Sequence, residues 1–201
     1  MMIREENKVK LIGTISEPFE LSHETYDMEV YSTILDVKRD SGVVDKVPIQ
    51  VIATKHLANL FKVGTQIFIE GEVRTYNKEN HLKIIIFANR ITEVFGEKDI
   101  NEIEMIGYLC KPPIYRVTPF GRKICDLLVA VPRFYTDRRK SAYVPCIVWG
   151  RNAEFAQNLQ VGDKVELQGR MQSREYLKRI NEEEVVTKTA REVSCGILTA
   201  L

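Results

Sequence analysis

The chain predicts an all-β protein of two tandem five-stranded barrels, each with one short helix. Three observations carry this. The sequence repeats itself about halfway along, period-two alternation dominates both copies, and the one helical stretch falls at the same place in each.

The repeat is read from four matches in the same order. Asn7-Lys-Val-Lys-Leu-Ile-Gly13 returns as Asn101-Glu-Ile-Glu-Met-Ile-Gly107, and Leu35-Asp-Val-Lys-Arg39 as Val129-Ala-Val-Pro-Arg133, both ninety-four residues later. Val47-Pro-Ile-Gln-Val51 returns near Val144-Pro-Cys-Ile-Val148, and Val63 to Gly71 returns as Val161 to Gly169, the offset having grown to ninety-eight. One match is compatible with chance, whereas four in order mark a duplication. The boundary falls near Phe95-Gly-Glu-Lys-Asp-Ile100, giving domains at residues 1–96 and 100–201.

In the second copy, residues 101–109, 123–132, 143–149, 164–172 and 184–193 alternate or run apolar as strands do. Residues 152–159 read as a helix, with Ala153, Phe155, Ala156 and Leu159 as its apolar face, ahead of the Val161-Gly162-Asp163 turn. Residues 55–61 hold that place in the first copy, with Leu57, Leu60 and Phe61 apolar. Three strands, a helix and two strands in about a hundred residues fit the five-stranded OB barrel.

Composition excludes several classes. With 44% hydrophobic and 28% charged residues the chain is an ordinary globular one. No apolar run approaches the roughly eighteen residues of a membrane span, and MMIREENKVK has no apolar leader core, so no membrane partner and a cytoplasmic location are expected. Cys110, Cys125, Cys146 and Cys195 are too scattered for a CxxC metal site and read as reduced, packed thiols, while His23, His56 and His81 read as solvated. With no nucleophile–base pair, Walker loop or metal spacing, neither an enzyme nor a cofactor is expected. Charge is uneven: residues 1–96 have 12 Lys+Arg against 14 Asp+Glu, net −2, and residues 100–201 have 16 against 12, net +4. The second half is the mildly basic one, which concerns anionic partners rather than fold.

The pattern Asn-x-hydrophobic-x-hydrophobic-Ile-Gly, then LLVAVPRFY, then VPCIVWGRNAEFAQNLQVGDKVELQGRMQSREY resembles the bacterial single-stranded-DNA-binding proteins. The resemblance covers nearly all of residues 101–193 and, more weakly, 7–94. It implies OB folds, sequence-tolerant binding of single-stranded DNA, and a homodimer that brings four OB folds around the strand, on the nucleoid.

OB proteins hold single strands by stacking bases on aromatic rings along a basic groove. By the family's pattern the stacking positions are Tyr143 and Trp149, whose even spacing puts both on one strand face, with Tyr135 (or Phe134 if the turn shifts by one) and Tyr176 at a hairpin tip. Arg133 stands beside the first rings along with Arg138, Arg139 and Lys140; Arg151 stands beside Trp149; Arg174, Lys178 and Arg179 stand beside Tyr176. The competing reading is a core tryptophan and solvated basic loops.

The first copy departs from this. At the places of Tyr143, Trp149 and Tyr135 it has Lys46, Ile52 and Ser41, leaving Tyr76, beside Arg74 and Lys78, near the hairpin position. A weak phosphate-binding or assembly role is expected for it, with Tyr26 and Tyr31 as packing or loop residues. The replicative members end in an acidic recruiting tail, whereas this sequence ends Ser194-Cys-Gly-Ile-Leu-Thr-Ala-Leu201, so recruitment by that route is not expected and an accessory role stands beside the replicative one. A primosome-like or RNA-binding OB protein, or an OB assembly module without nucleic acid, remain alternative readings.

Overall fold

The structure is a computed structural model that describes residues 6–79, 81–133, 140–179 and 185–201; Leu57, Tyr176, Leu177, Lys178, Arg179, Val185 and Lys188 are described by their backbone alone. The first half runs β1 (Asn7–Ile15), β2 (Glu20–Thr25), β3 (Met28–Lys38), β4 (Val44–Ile52), α1 (Lys55–Ala58), β5 (Gln66–Lys78) and β6 (His81–Glu93). The second repeats it as β7 (Ile100–Leu109), β8 (Ile114–Val117), β9 (Lys123–Pro132), β10 (Ser141–Trp149), α2 (Arg151–Ala156), β11 (Lys164–Arg179) and β12 (Val185–Ala200).

Each half closes on itself. β1 pairs with β3 and β5, β3 with β4, β4 in parallel with β6, and β6 with β5. β7, β9, β10, β12 and β11 close an equivalent ring. Closure requires β1 and β7 to leave one neighbour for another, and backbone must come very close there. A Cβ on Gly13 would stand 2.5 Å from the carbonyl oxygen of Asp36, and one on Gly107 2.4 Å from that of Ala130, so only glycine fits. Alternation then fills each ring: Leu35, Val37, Val47 and Ile49 inside the first, and Val129, Val131, Val144 and Val148 inside the second, are essentially buried. Ala58 of α1 and Ala153 and Ala156 of α2 are buried at the base of their rings.

The rings are joined by antiparallel pairing of β1 with β7, from Asn7↔Met105 through Val9↔Ile103 to Leu11↔Asn101 and Ile12↔Ile100. Because Asn101 is the repeat of Asn7, this register is self-complementary about Val9 and Ile103, as in a two-fold homodimer, but within one chain. The asparagines match this symmetry. Asn7 Nδ2 donates to the Val73 carbonyl and Asn7 Oδ1 accepts from the Val73 N–H, at 3.0 and 2.8 Å. Asn101 does the same with Met171, both bonds at 2.9 Å. The amide side chain thus continues the β1–β5 and β7–β11 ladders where the main chain has turned to meet the other half.

Each half keeps the expected ring of five strands and adds one more, β2 or β8, which pairs with the outer part of β3 or β9. β2, ELSHET, has no buried side chain, so no apolar periodicity marks it. The helices are shorter than the apolar spacing suggests, and Phe155 and Leu60 are exposed. The last strand does not stop at 193: residues 194–200 continue β12, pairing with β11 as far as Val165↔Ala200. Cys125, Cys146 and Cys195 are buried thiols, and hydrogen bonding to Cys195 together with burial holds the Cys146 thiol well above its ordinary range.

Replacing Asn101 by Ala strands the Met171 N–H and carbonyl beside the junction. Unmade backbone bonds of this kind cost about 1–3 kcal/mol. The expected outcome is a lower urea midpoint by that amount, with Glu102→Ala, exposed on the same strand, unchanged.

Candidate nucleic-acid interface

Trp149 ends β10, on its outer face. The inward residues Ala142, Val144, Cys146 and Val148 fill the core, and Tyr143, Ile147 and Trp149 alternate with them. Ile124 of β9 lies directly opposite Trp149. The indole is half-buried, and its Nε1–H donates to Ser194 Oγ on β12 at 3.1 Å. The hydrogen bond fixes the polar edge and leaves part of the ring surface to solvent. Gly150 follows with φ 58° and ψ −126°, a conformation glycine adopts readily, and turns the chain into α2.

On the same face β11 brings Arg174, exposed, and β12 brings Glu192, two residues before Ser194. Burial pushes the Glu192 carboxyl above its ordinary range, Asp126 adds to that, and Arg174 and Arg116 oppose it. Tyr143, 52% exposed, lies at the other end of β10, and its N–H donates to Thr75 Oγ1 of the first half at 2.9 Å. Arg151 is exposed at the start of α2.

The remaining residues singled out from the sequence divide. Arg133 does not join Trp149: its Nη2 donates to the Thr75 carbonyl at 2.6 Å, and it lines a groove on the first half with Arg74 and Tyr76. Arg74 Nε donates to buried Glu72 at 2.6 Å, and its Cζ lies 3.4 Å from the centroid of Phe87. Tyr176 and Lys178 lie on β11 opposite Lys188 and Val186. Phe134, Tyr135, Arg138 and Arg139 lie outside the described residues.

The sequence did not single out Phe87. It sits in a run, Ile84 to Ala88, that is buried at every position, so alternation gives no sign of its face. The register supplies it: bulges at Gly71 and Gly169 align Ala88 with Cys195, which makes Phe87 the counterpart of Ser194. The same comparison confirms Ile52, opposite Val30, as the counterpart of Trp149, opposite Ile124.

The closed rings, each with a helix between its fourth and fifth strands, make this a tandem OB-fold protein. Wild-type single-stranded DNA binding protein from Thermus aquaticus shares the fold along the whole chain, with TM-score 0.77 at 21% identity over 99% of this chain and 94% of that one. Residues 100–195 match the Single-strand binding protein family. Single-stranded DNA-binding protein 2 of Listeria innocua is 33% identical over 100 residues, 46% of this chain and 63% of its own length. Single-stranded DNA-binding protein A of Bacillus subtilis is 31% identical over 97 residues, 46% of this chain and 56% of that protein. The chain thus spans between about half and two-thirds of the length of these relatives.

Glu192 gives a pH test of the site. Its folded value is raised, so the stability associated with its neutral form is complete below the ordinary carboxyl range and lost as pH rises through the folded value. Glu192→Gln is therefore expected to raise the urea midpoint at neutral pH, with the gap closing at about pH 4 and below.

Proposed function

We propose that the protein binds single-stranded DNA with little regard to sequence and protects it during replication, recombination or repair. The observation that carries this is Trp149: a half-buried ring on the outer face of a domain that matches the single-strand binding protein family, tethered by its indole N–H and sharing its face with Arg174. Bases stack on such a ring whatever their identity, because each has a π-face, and the cations follow the phosphates. Tyr143, Tyr176, Arg151 and Lys178 extend the path, as do Phe134 and Tyr135. Residues 100–201 are the main binding unit. Residues 1–96 serve assembly and make the weaker contact, through Arg74, Tyr76 and, from across the boundary, Arg133. The chain pairs with a second copy so that four OB folds surround the strand, and its place is on the cytoplasmic nucleoid.

The test is a titration of tryptophan fluorescence with poly(dT), for which Trp149 is the sole reporter. Trp149→Ala, followed by anisotropy of a labelled strand, should weaken binding by about 1–3 kcal/mol per stacked base. The variant should keep its fold, whereas a core tryptophan would cost about 3–5 kcal/mol of stability. Arg174→Ala should instead reduce the salt dependence, since one phosphate contact contributes about −0.7 to the slope of log affinity against log salt. A wild-type protein that binds no single strand would overturn the reading.

Assembly has its own measurement. Light scattering at micromolar concentration is expected to give twice the 23.2 kDa of the chain; a monomer, with and without DNA, would refute the four-fold arrangement.

A further inference from the structure

The groove that holds Arg133 has a volume of about 490 Å³. Its floor includes Ile52 and Phe87, the first half's counterparts of Trp149 and Ser194. Tyr26 and Tyr76 line it, 88% and 41% exposed. Tyr26 sits in the two-residue turn between β2 and β3 with φ 47°, and Tyr76 on β5. The rings therefore come from elements other than the strand that carries Tyr143 and Trp149.

The cations come from both halves: Arg74 and Lys78 from the first, Arg133 and Lys140 from the second. Among the lining residues described there is no carboxylate, in the half whose net charge is −2. Burial and then the neighbouring Arg74 guanidinium lower the Arg133 pKa, with Glu72 opposing. Arg74 Nη2 and Arg133 Nε, both buried, have no acceptor among the described residues. The groove thus holds positive charge in excess of its counter-charges, beside rings that face solvent.

The pseudo-two-fold supplies a control within the molecule. The counterpart cleft, about 430 Å³, is lined by Arg39, Lys46 and Arg174, with no aromatic ring among its described lining residues, and includes Glu175. Its Arg39 is engaged bidentately by buried Asp45, at 2.6 and 2.5 Å. Among the described side chains, the same backbone frame therefore carries rings at one boundary and a closed Arg39–Asp45 ion pair at the other.

We propose that this first-half groove is a nucleobase-and-phosphate site for the bound strand, stacking a base on Tyr26 and Tyr76 and setting its phosphates on Lys78, Arg133 and Lys140. The site is composite: Arg133 and Lys140 reach it only because the β1–β7 junction holds the halves together. It rests on the reading of the protein as a single-strand binder, and makes the first half's contact a defined site rather than diffuse attraction.

The test uses the full chain and an oligo(dT) long enough to span both halves, carrying 5-iododeoxyuridine. Irradiation of the wild-type complex should give adducts at Tyr26 or Tyr76 as well as on the Trp149 face. The double variant Tyr26→Ala/Tyr76→Ala, both exposed, should lose affinity roughly five- to 150-fold, the equivalent of one stacked base. Lys140→Glu, from the other half, should weaken binding as well, while quenching of Trp149 at saturating strand is retained in each variant. Adducts confined to the second half, with full affinity in the double variant, would overturn this site and leave the proposed function standing. Absence of any strand binding by wild type would overturn both.

Discussion

The pairing of β1 with β7 is the contact on which the rest of the arrangement depends. Six residues of each strand meet in a register centred on Val9 and Ile103, so the two rings become one continuous sheet instead of two beads on a linker. The ladder has a local cost: at Asn7 and Asn101 the main chain serves the other half, and the next residue of β5 or β11 loses its partner. An asparagine supplies donor and acceptor in one rigid amide and replaces both bonds, which explains why both copies begin on this residue type.

From this junction the two boundary clefts follow. Thr75 and Ser173, counterparts on β5 and β11, accept the N–H groups of Tyr143 and Lys46 through their hydroxyls, each at 2.9 Å. The backbone frame is therefore alike on both sides, and the side chains placed on it differ. On one side Ser173 N–H and Arg39 both converge on Asp45, and the charge is closed. On the other, Ala142 stands where Asp45 does, and Arg133 Nη2 donates to the Thr75 carbonyl instead of to a carboxylate. A single missing carboxylate turns a structural ion pair into an open cationic groove.

Trp149 illustrates the same dependence at shorter range. Its strand face is set by period-two alternation, but its ring is held by Ser194, forty-five residues away, on a strand that pairs in parallel with β10. Ile52 holds the same place in the first half, where the counterpart of Ser194 is Phe87. The bulky ring there lies on the sixth strand and is covered by Arg74 rather than tethered to a serine. The two halves thus distribute aromatic surface differently over one scaffold.

The sequence by itself determined the period of the strands, the tandem repeat, the place of each helix and the alignment of Lys46 with Tyr143 and Ile52 with Trp149, because these rest on local alternation and on offsets along one chain. It left β2 and β8 unmarked, since short, mostly exposed strands carry no apolar alternation. Only the tertiary structure decided that Arg133 turns from its own half toward Thr75, that Phe87 faces outward within a wholly apolar run, and that residues 194–200 close a ring. Each of those depends on which distant strand comes alongside. A period-two pattern shows that a residue has two faces to choose from, and the closure of the barrels and the register of their junction choose between them.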